Sequence, residues 1–173
     1  MATTYKAIAT VTVTGATAAT IDFTSIPATY TDLCILASFR LDTAPAMNTI
    51  KMEINSDTTG TNYTSRWLEG NGSTIDNEIR TTITAVTSTN SGGSTANTFG
   101  NLQMYFPNYA NTSYYKSFSI ESVGENNATA ALNGLYAGLY ESNSAISSIS
   151  LASYNAGNFV RYSSATLYGI KNS

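Results

Sequence analysis

The sequence predicts an all-β fold, a sandwich of two antiparallel β-sheets that is jelly-roll-like. Three observations lead to this fold class. Hydrophobic and polar residues alternate in segment after segment, turn-forming residues separate these segments, and no apolar pattern with a helical period occurs. About eight to ten short strands with turns at this spacing are typical of a jelly roll or, as the alternative, of an immunoglobulin-like sandwich.

The predicted strands follow one another along the whole chain. Period-2 alternation, the mark of a half-buried strand, occurs at Val11 and Val13, Ile21 and Phe23, residues 50–54, 102–106, 118–121 and 135–140. Residues 33–37 lack alternation, which predicts a strand covered on both faces. Residues 149–151 and 166–170 supply the closing strands.

One domain accounts for residues 1–173, because a chain of this length encloses a single core. Residues 1–20 are predicted to form a lead-in strand that is available as an arm between subunits. The segment Thr87–Thr98, TSTNSGGSTANT, is rich in Gly and Ser. Such a composition predicts a mobile loop or an arm that reaches a neighbour.

Neutral hydrogen-bonding residues replace charge in this composition. Charged residues make up 11% of the chain, against about 25% in ordinary globular proteins, while Thr, Ser and Asn number 27, 21 and 17. The eight Lys and Arg residues are scattered and the net charge is −3, so nucleic acid is not an expected partner. No segment approaches the ~20 apolar residues of a membrane span, and none at the N-terminus resembles a cleaved signal peptide.

The sequence lacks the residues on which most catalytic mechanisms depend. The chain has no histidine, so the common general base and the commonest transition-metal ligand are missing. A glycosidase needs only two carboxylates, which leaves that mechanism open. Asn55, Ser56 and Asp57 resemble the start of a calcium loop, but the terminal Glu is absent and Asx-turn hydrogen bonds explain them better. We predict no enzymatic activity, no metal and no cofactor, and a buried, inert thiol at Cys34.

Aromatic residues form the more informative clusters. Arg66 and Trp67 stand together in NYTSRWLEGNG and are a possible glycan or partner contact. A second cluster, the candidate protein interface, comprises Tyr105, Phe106, Pro107, Asn108 and Tyr109. Core packing, a protein–protein interface and sugar stacking all use such residues.

Several longer runs resemble a known family. FTSIPATYTDLCILASFR, INSDTTGTNYTSRWLEGNGS, ANTFGNLQMYFPNYANTSYYKSFS, ENNATAA and YSSATLYGIK together resemble small virion structural proteins of tailed phages of cyanobacteria and marine bacteria. The resemblance extends from about residue 21 to residue 171. It implies a non-enzymatic virion protein that is assembled in the host cytoplasm.

Within that family the short N-terminal lead-in favours a head decoration or cement protein over a fibre with a shaft. Such a protein is expected to form a homo-oligomer, most simply a trimer, and to bind the major capsid protein or other virion subunits. Replacing Tyr105 and Tyr109 with Ala is then expected to weaken attachment without changing strand content. The alternative is a receptor-binding fibre or spike tip that grips host glycans.

Overall fold

The computed structural model describes residues 4–80, 85–125 and 131–171, and it confirms an all-β sandwich of antiparallel sheets. An eight-stranded sheet has the order β1-β14-β4-β9-β10-β11-β6-β7, and a four-stranded sheet has the order β3-β12-β5-β8. A short ribbon pairs β13 with β2. The strands are β1 Tyr5–Thr12, β2 Thr17–Ala18, β3 Thr20–Phe23, β4 Asp32–Phe39, β5 Met47–Ile54, β6 Tyr63–Gly70, β7 Ile75–Arg80, β8 Ala85–Asn90, β9 Gly100–Phe106, β10 Lys116–Glu125, β11 Ala131–Tyr140, β12 Ile149–Ser153, β13 Phe159–Val160 and β14 Ser164–Ile170.

The described residues contain more strands than the eight to ten that the sequence predicts. Two additions, β2 and β13, are only two residues long. The others, β6, β7 and β8, carry charged or hydroxyl side chains in much of their length, so their alternation is weak in the sequence. One 3₁₀ turn, Gly60–Asn62, is the only helical element of the described part of the chain, where no helix is long enough to span a membrane.

The core lies between the two sheets and is formed by the inward side chains of their strands. Strand β10 alternates strictly between buried and exposed positions, as period-2 patterning requires. Its Phe118 packs against Phe106 with ring centroids 5.8 Å apart. The Phe118 ring also covers Gly138, where a Cβ would lie 2.0 Å from the ring. Each such buried aromatic side chain contributes about 1.5–3 kcal/mol through removal of apolar surface from water.

Strand β4 is the central strand that the sequence predicts to be covered on both faces. Leu33, Cys34 and Ile35 are buried, whereas Leu36 is 42% exposed on the side away from the core. The predicted buried thiol is therefore confirmed, and its burial raises the pKa of Cys34. A thiol with a raised pKa in an apolar site is a poor nucleophile.

The N-terminal lead-in is a strand, as predicted, but it is divided and paired within its own chain. Strand β1 forms an edge of the eight-stranded sheet and pairs with β14, with a bulge between Ala7 and Ala9. Residues 17–20 enter β2 and β3. This pairing satisfies one side of β1 inside the chain, which is a different arrangement from an extended inter-subunit arm.

The prediction of a mobile loop over Thr87–Thr98 is wrong for residues 87–90, whereas residues 91–98 form a loop. Residues 87–90 belong to β8, where Thr87, Thr89 and Asn90 are buried. The remaining residues are held by the Arg40 guanidinium, which donates hydrogen bonds to the carbonyl oxygens of residues 94, 95 and 98 at 3.0, 2.8 and 2.9 Å. The Gly- and Ser-rich composition gives no sign of this distant partner, because Arg40 lies about fifty residues earlier.

We expect Arg40→Ala to loosen the segment 91–98. Loss of the guanidinium leaves several loop carbonyls without their charged donor, which costs about 1.5–3 kcal/mol of the free energy of unfolding. Urea denaturation measures the loss, and limited proteolysis or amide exchange should locate it in this segment. Unchanged protection of the segment in a folded Arg40→Ala protein would contradict the role of Arg40.

Buried tyrosines form a second group of core residues whose hydroxyls reach specific partners. The Tyr63 hydroxyl accepts from the Ile54 amide at 2.9 Å and donates to the Asp57 carbonyl at 2.9 Å. Burial raises the pKa of Tyr63, Tyr109 and Tyr140. Burial, with a hydrogen bond to Glu69, raises the pKa of Tyr136 to about 12.

The raised pKa values predict alkaline unfolding. The stabilisation is complete below the ordinary tyrosine pKa of about 10 and is lost as the pH rises through the folded-state values. We expect the ultraviolet absorbance of tyrosinate from these residues to appear together with loss of the strand signal in circular dichroism. Ionisation of all twelve tyrosines near pH 10 with the strands intact would refute this coupling.

Candidate functional site

The segment from Tyr105 to Tyr109, predicted as an interface, ends β9 and enters the following turn. Phe106 and Tyr109 are completely buried in the core. The carboxylate of the buried Asp32 accepts hydrogen bonds from the Tyr105 hydroxyl at 2.7 Å and from the Asn108 amide at 2.8 Å. The hydrogen bond to Asp32 raises the pKa of Tyr105 to about 12.

These contacts hold the segment from Tyr105 to Tyr109 within the fold, so it does not present its aromatic side chains as a protein interface. The Tyr109 hydroxyl donates to the Pro27 carbonyl and accepts a hydrogen bond from the Tyr30 amide at 3.4 Å. Pro107 is half-buried and only Asn108 is exposed. The expectation that Tyr105 and Tyr109 are mutable surface anchors is therefore wrong for Tyr109, because its ring and hydroxyl tie the turn to the core.

Arg66 and Trp67 were predicted to form one contact, but their side chains lie on opposite faces of β6. Consecutive residues of a strand point to opposite sides of its sheet. The Trp67 indole faces the four-stranded sheet, packs against the core and lies beside Tyr136, with ring centroids 6.5 Å apart. Arg66 is exposed on the other side, which we call the outer face of the eight-stranded sheet.

The outer face carries a group of exposed apolar side chains at the end formed by β10, β11, β6 and β7. Antiparallel register places Leu68 opposite Leu135, and Arg66 opposite Ile79. Residues paired in this way project from the same face. The group, called the outer patch, consists of Leu68 (49% exposed), Ile75 (75%), Ile79 (59%), Val123 (43%) and Leu135 (53%).

Strand β7 shows that the outer patch is a patterned feature. Residues 75–79 are exposed, so neither face of this part of the strand is covered by the chain itself. Ile75 and Ile79 nevertheless lie on the outer face, whereas Asp76 and Glu78 lie on the inner side with Glu69 and Trp67. An alternating pattern normally turns the apolar side toward a covering surface. Here the more apolar side, formed by Ile75, Asn77 and Ile79, points outward from the fold.

A groove of about 390 Å³ crosses the outer patch. Its outward side chains are supplied by β6, β10 and β11, namely Arg66, Leu68, Ser119, Glu121, Leu135 and Ala137. Ala137 lies between Arg66 and Ser119 in the sheet register, and its small side chain forms the floor. The taller Leu68 and Leu135 side chains form one wall.

Two opposite charges stand at the two sides of this groove. Arg66 is on β6 and Glu121 is on β10, two strand spacings away, or about 10 Å across the sheet. Within residues 4–80, 85–125 and 131–171 neither side chain forms a hydrogen bond or an ion pair. Both charges are therefore free to meet charges from outside the chain.

The outer side of the four-stranded sheet is different in character. Its Lys51 and Glu53 side chains form an ion pair with a nitrogen–oxygen distance of 2.8 Å. Asp22 accepts hydrogen bonds from Thr20 and Ser150, each at 2.6 Å. These charged groups are already paired within the chain, so the outer patch is the stronger candidate for a contact surface.

Sequence reasoning found Arg66 but missed the rest of this site. Leu68, Glu121 and Leu135 are ordinary strand residues whose grouping arises from the strand order β10-β11-β6. One signal in the sequence could have indicated the outer patch. In IDNEIR the two Ile residues stand four positions apart, so a strand places both on the same face, away from the acidic residues. No group of three His, Cys, Asp or Glu residues suited to a metal occurs in the described part of the chain.

Comparisons with known proteins give a similarity of fold to solved structures. No protein-family model and no curated protein matches the sequence. Among solved structures the chain is similar to galectin LEC-6 of Caenorhabditis elegans, with a TM-score of 0.39 and 9% identity over 91% of this chain and 94% of that chain. The geometry of the outer face therefore carries the functional conclusion.

We expect Tyr109→Ala to lower the free energy of unfolding by about 3–5 kcal/mol, because a buried ring leaves a cavity and a lost hydroxyl leaves the Pro27 carbonyl unpaired. Urea denaturation measures the change. The matched control is Tyr115→Ala, since Tyr115 is 49% exposed and its replacement should stay within about 0.5 kcal/mol. Equal stability of the two variants would contradict the structural role of Tyr109.

Proposed function

We propose that this chain is a non-enzymatic structural protein of a phage virion, which decorates or cements the capsid through protein–protein contacts. The observation that carries the proposal is the outer patch, five exposed apolar side chains on one uncovered sheet face. Exposed apolar groups that adjoin one another mark interaction surfaces on folded proteins. The sequence resemblance to small virion proteins supports the particle as the setting.

The size of the patch suits a repetitive assembly. A stable interface between two isolated proteins buries about 1,600 Å² in total, which is more than five side chains supply. A weaker contact becomes effective when many copies are held on one lattice, because each bound copy raises the local concentration of the next contact. Cementing of a capsid by self-associating copies uses this effect.

The chemistry of the groove favours binding over hydrolysis. Glu121 is the single carboxylate among the residues that line it. Glycoside hydrolysis needs a pair of carboxyl groups at about 5–10 Å from each other. A lone carboxylate opposite a guanidinium is suited to charge pairing with a partner.

The alternative is a fibre tip that binds host glycans through Trp67 or through the segment from Tyr105 to Tyr109, in which Tyr109 is completely buried. Sugar binding by stacking needs an aromatic face that is open to the ligand. The Trp67 indole is half-buried on the inner side, and the outward side chains of the groove are not aromatic. This geometry gives the glycan hypothesis less support than the structural one.

The decisive comparison uses virions assembled with and without this protein. We expect particles that lack it to release DNA at lower temperature or lower ionic strength, while adsorption to host cells is unchanged. Thermal release of DNA and cell adsorption are measured on the same preparations. Particles that are equally stable but fail to adsorb would overturn cementing and support the receptor-binding function.

Surface variants separate the patch from the rest of the protein. We expect Leu68→Ser with Leu135→Ser to reduce the amount of protein retained on the particle about tenfold or more, because both side chains lose their apolar contact. Leu36→Ser is the matched control, since Leu36 lies on the same face of the same sheet and is 42% exposed. Equal retention of both proteins would show that the outer patch is not the contact surface.

A further inference from the structure

The outer patch has a distribution of charge that fits a second copy of itself. The positive Arg66 and the negative Glu121 stand on opposite sides of apolar and small residues, and neither has a partner in the described part of the chain. A two-fold axis brings the same surface of two copies together. If residue i of one copy contacts residue j of the other, then residue j of the first copy contacts residue i of the second. A positive and a negative residue that contact each other across such an axis therefore form two equivalent ion pairs in each dimer.

From this arrangement we infer that two copies of the chain associate face to face through the outer patch, about a two-fold axis. Arg66 of each copy then pairs with Glu121 of the other copy. The axis lies in the plane of contact and is perpendicular to the line that joins Arg66 and Glu121 of the same copy. The inference rests on the proposed function, in which the outer patch binds protein, and it adds that this protein is a second copy of the chain.

The sheet register also predicts where the apolar side chains go. The positions of Arg66, Leu68, Ala137 and Leu135 form the corners of a rectangle, about 4.8 Å across the strands and about 6.8 Å along them. Exchange of Arg66 with Glu121 places Leu135 of each copy over this rectangle on the other copy. Leu135 thus lies closest to Leu68 of the other copy, and Leu68 closest to Leu135 of the other copy, while the strands of the two copies cross at about 70°.

This fit accounts for features that the single chain leaves unexplained. Leu68 and Leu135 are exposed and stand opposite each other on β6 and β11, so the two-fold sets the pair of leucines of one copy against the same pair of the other. The apolar side of β7, with Ile75 and Ile79, lies at the margin of the same surface. In the dimer these side chains lie near the second copy and lose part of their contact with water.

The two-fold contact differs from the trimer that the sequence suggested. A ring of three copies needs two different complementary surfaces on each copy, whereas one self-complementary surface closes a pair. The outer face presents one such surface. A pair formed in this way still leaves the polar outer side of each four-stranded sheet available to other subunits.

Exchange of charges tests the inference on the full chain in solution. Arg66→Glu alone and Glu121→Arg alone each place like charges at both symmetry-related contacts, so each variant should dimerise about 100-fold more weakly than the natural chain, about tenfold for each contact. An equimolar mixture of the two variants restores opposite charges at both contacts. We therefore expect the mixture to form a heterodimer with an affinity close to that of the natural dimer.

Sedimentation equilibrium over a wide range of protein concentration provides the measurement. Leu135→Ser should also weaken the dimer, and Leu36→Ser should not, which keeps the test valid if one charge variant fails to fold. A natural chain that stays monomeric, a trimer, or a mixture that does not associate overturns the inference. Those results leave the stability of protein-free virions unaffected, so a failure here is distinct from a failure of the proposed structural role.

Discussion

The unequal size of the two sheets is the constraint on which the rest of the structure depends. The four-stranded sheet covers the inner face of the larger sheet, with β3 near β1 and β8 against β10 and β11. Apolar side chains on this inner face are buried as completely as in any sandwich core. Among residues 4–80, 85–125 and 131–171 no second layer covers the outer face of the eight-stranded sheet, and residues 75–79 of β7 are exposed on both sides.

Packing of the inner face determines the shape of the outer face. In the run Gly134-Leu135-Tyr136-Ala137-Gly138, the two glycines make room for the rings of Tyr136 and Phe118 on the inner side. Leu135 and Ala137, which alternate with the inward positions 134, 136 and 138, must then point outward. One is a large leucine and the other a small alanine, which together produce the wall and the floor of the groove.

Hydrogen bonds from scattered polar side chains replace ion pairs as the ties between loops. Arg40 binds carbonyl groups of the segment 91–98, and Asp32 binds the end of β9 and its turn. Lys116 is buried and donates to the carbonyl of Tyr114 at 2.8 Å, and its burial lowers its pKa. One Lys–Glu ion pair, Lys51 with Glu53, occurs within the described ranges. Such neutral and carbonyl-directed contacts explain how a chain with few charges remains specifically folded.

The sequence by itself determined the fold class, because period-2 alternation and turn residues are local signals that survive without knowledge of the partner strands. It also indicated the buried thiol at Cys34. Only the tertiary structure decided that Trp67 and Tyr109 serve the core, that residues 87–90 form a strand, and that Arg66, Glu121 and Leu135 share one surface. These outcomes depend on strand order and register, which join residues as distant as β6 and β10. Local patterning contains no information on such pairings, since any half-buried strand shows the same alternation whichever neighbour it meets.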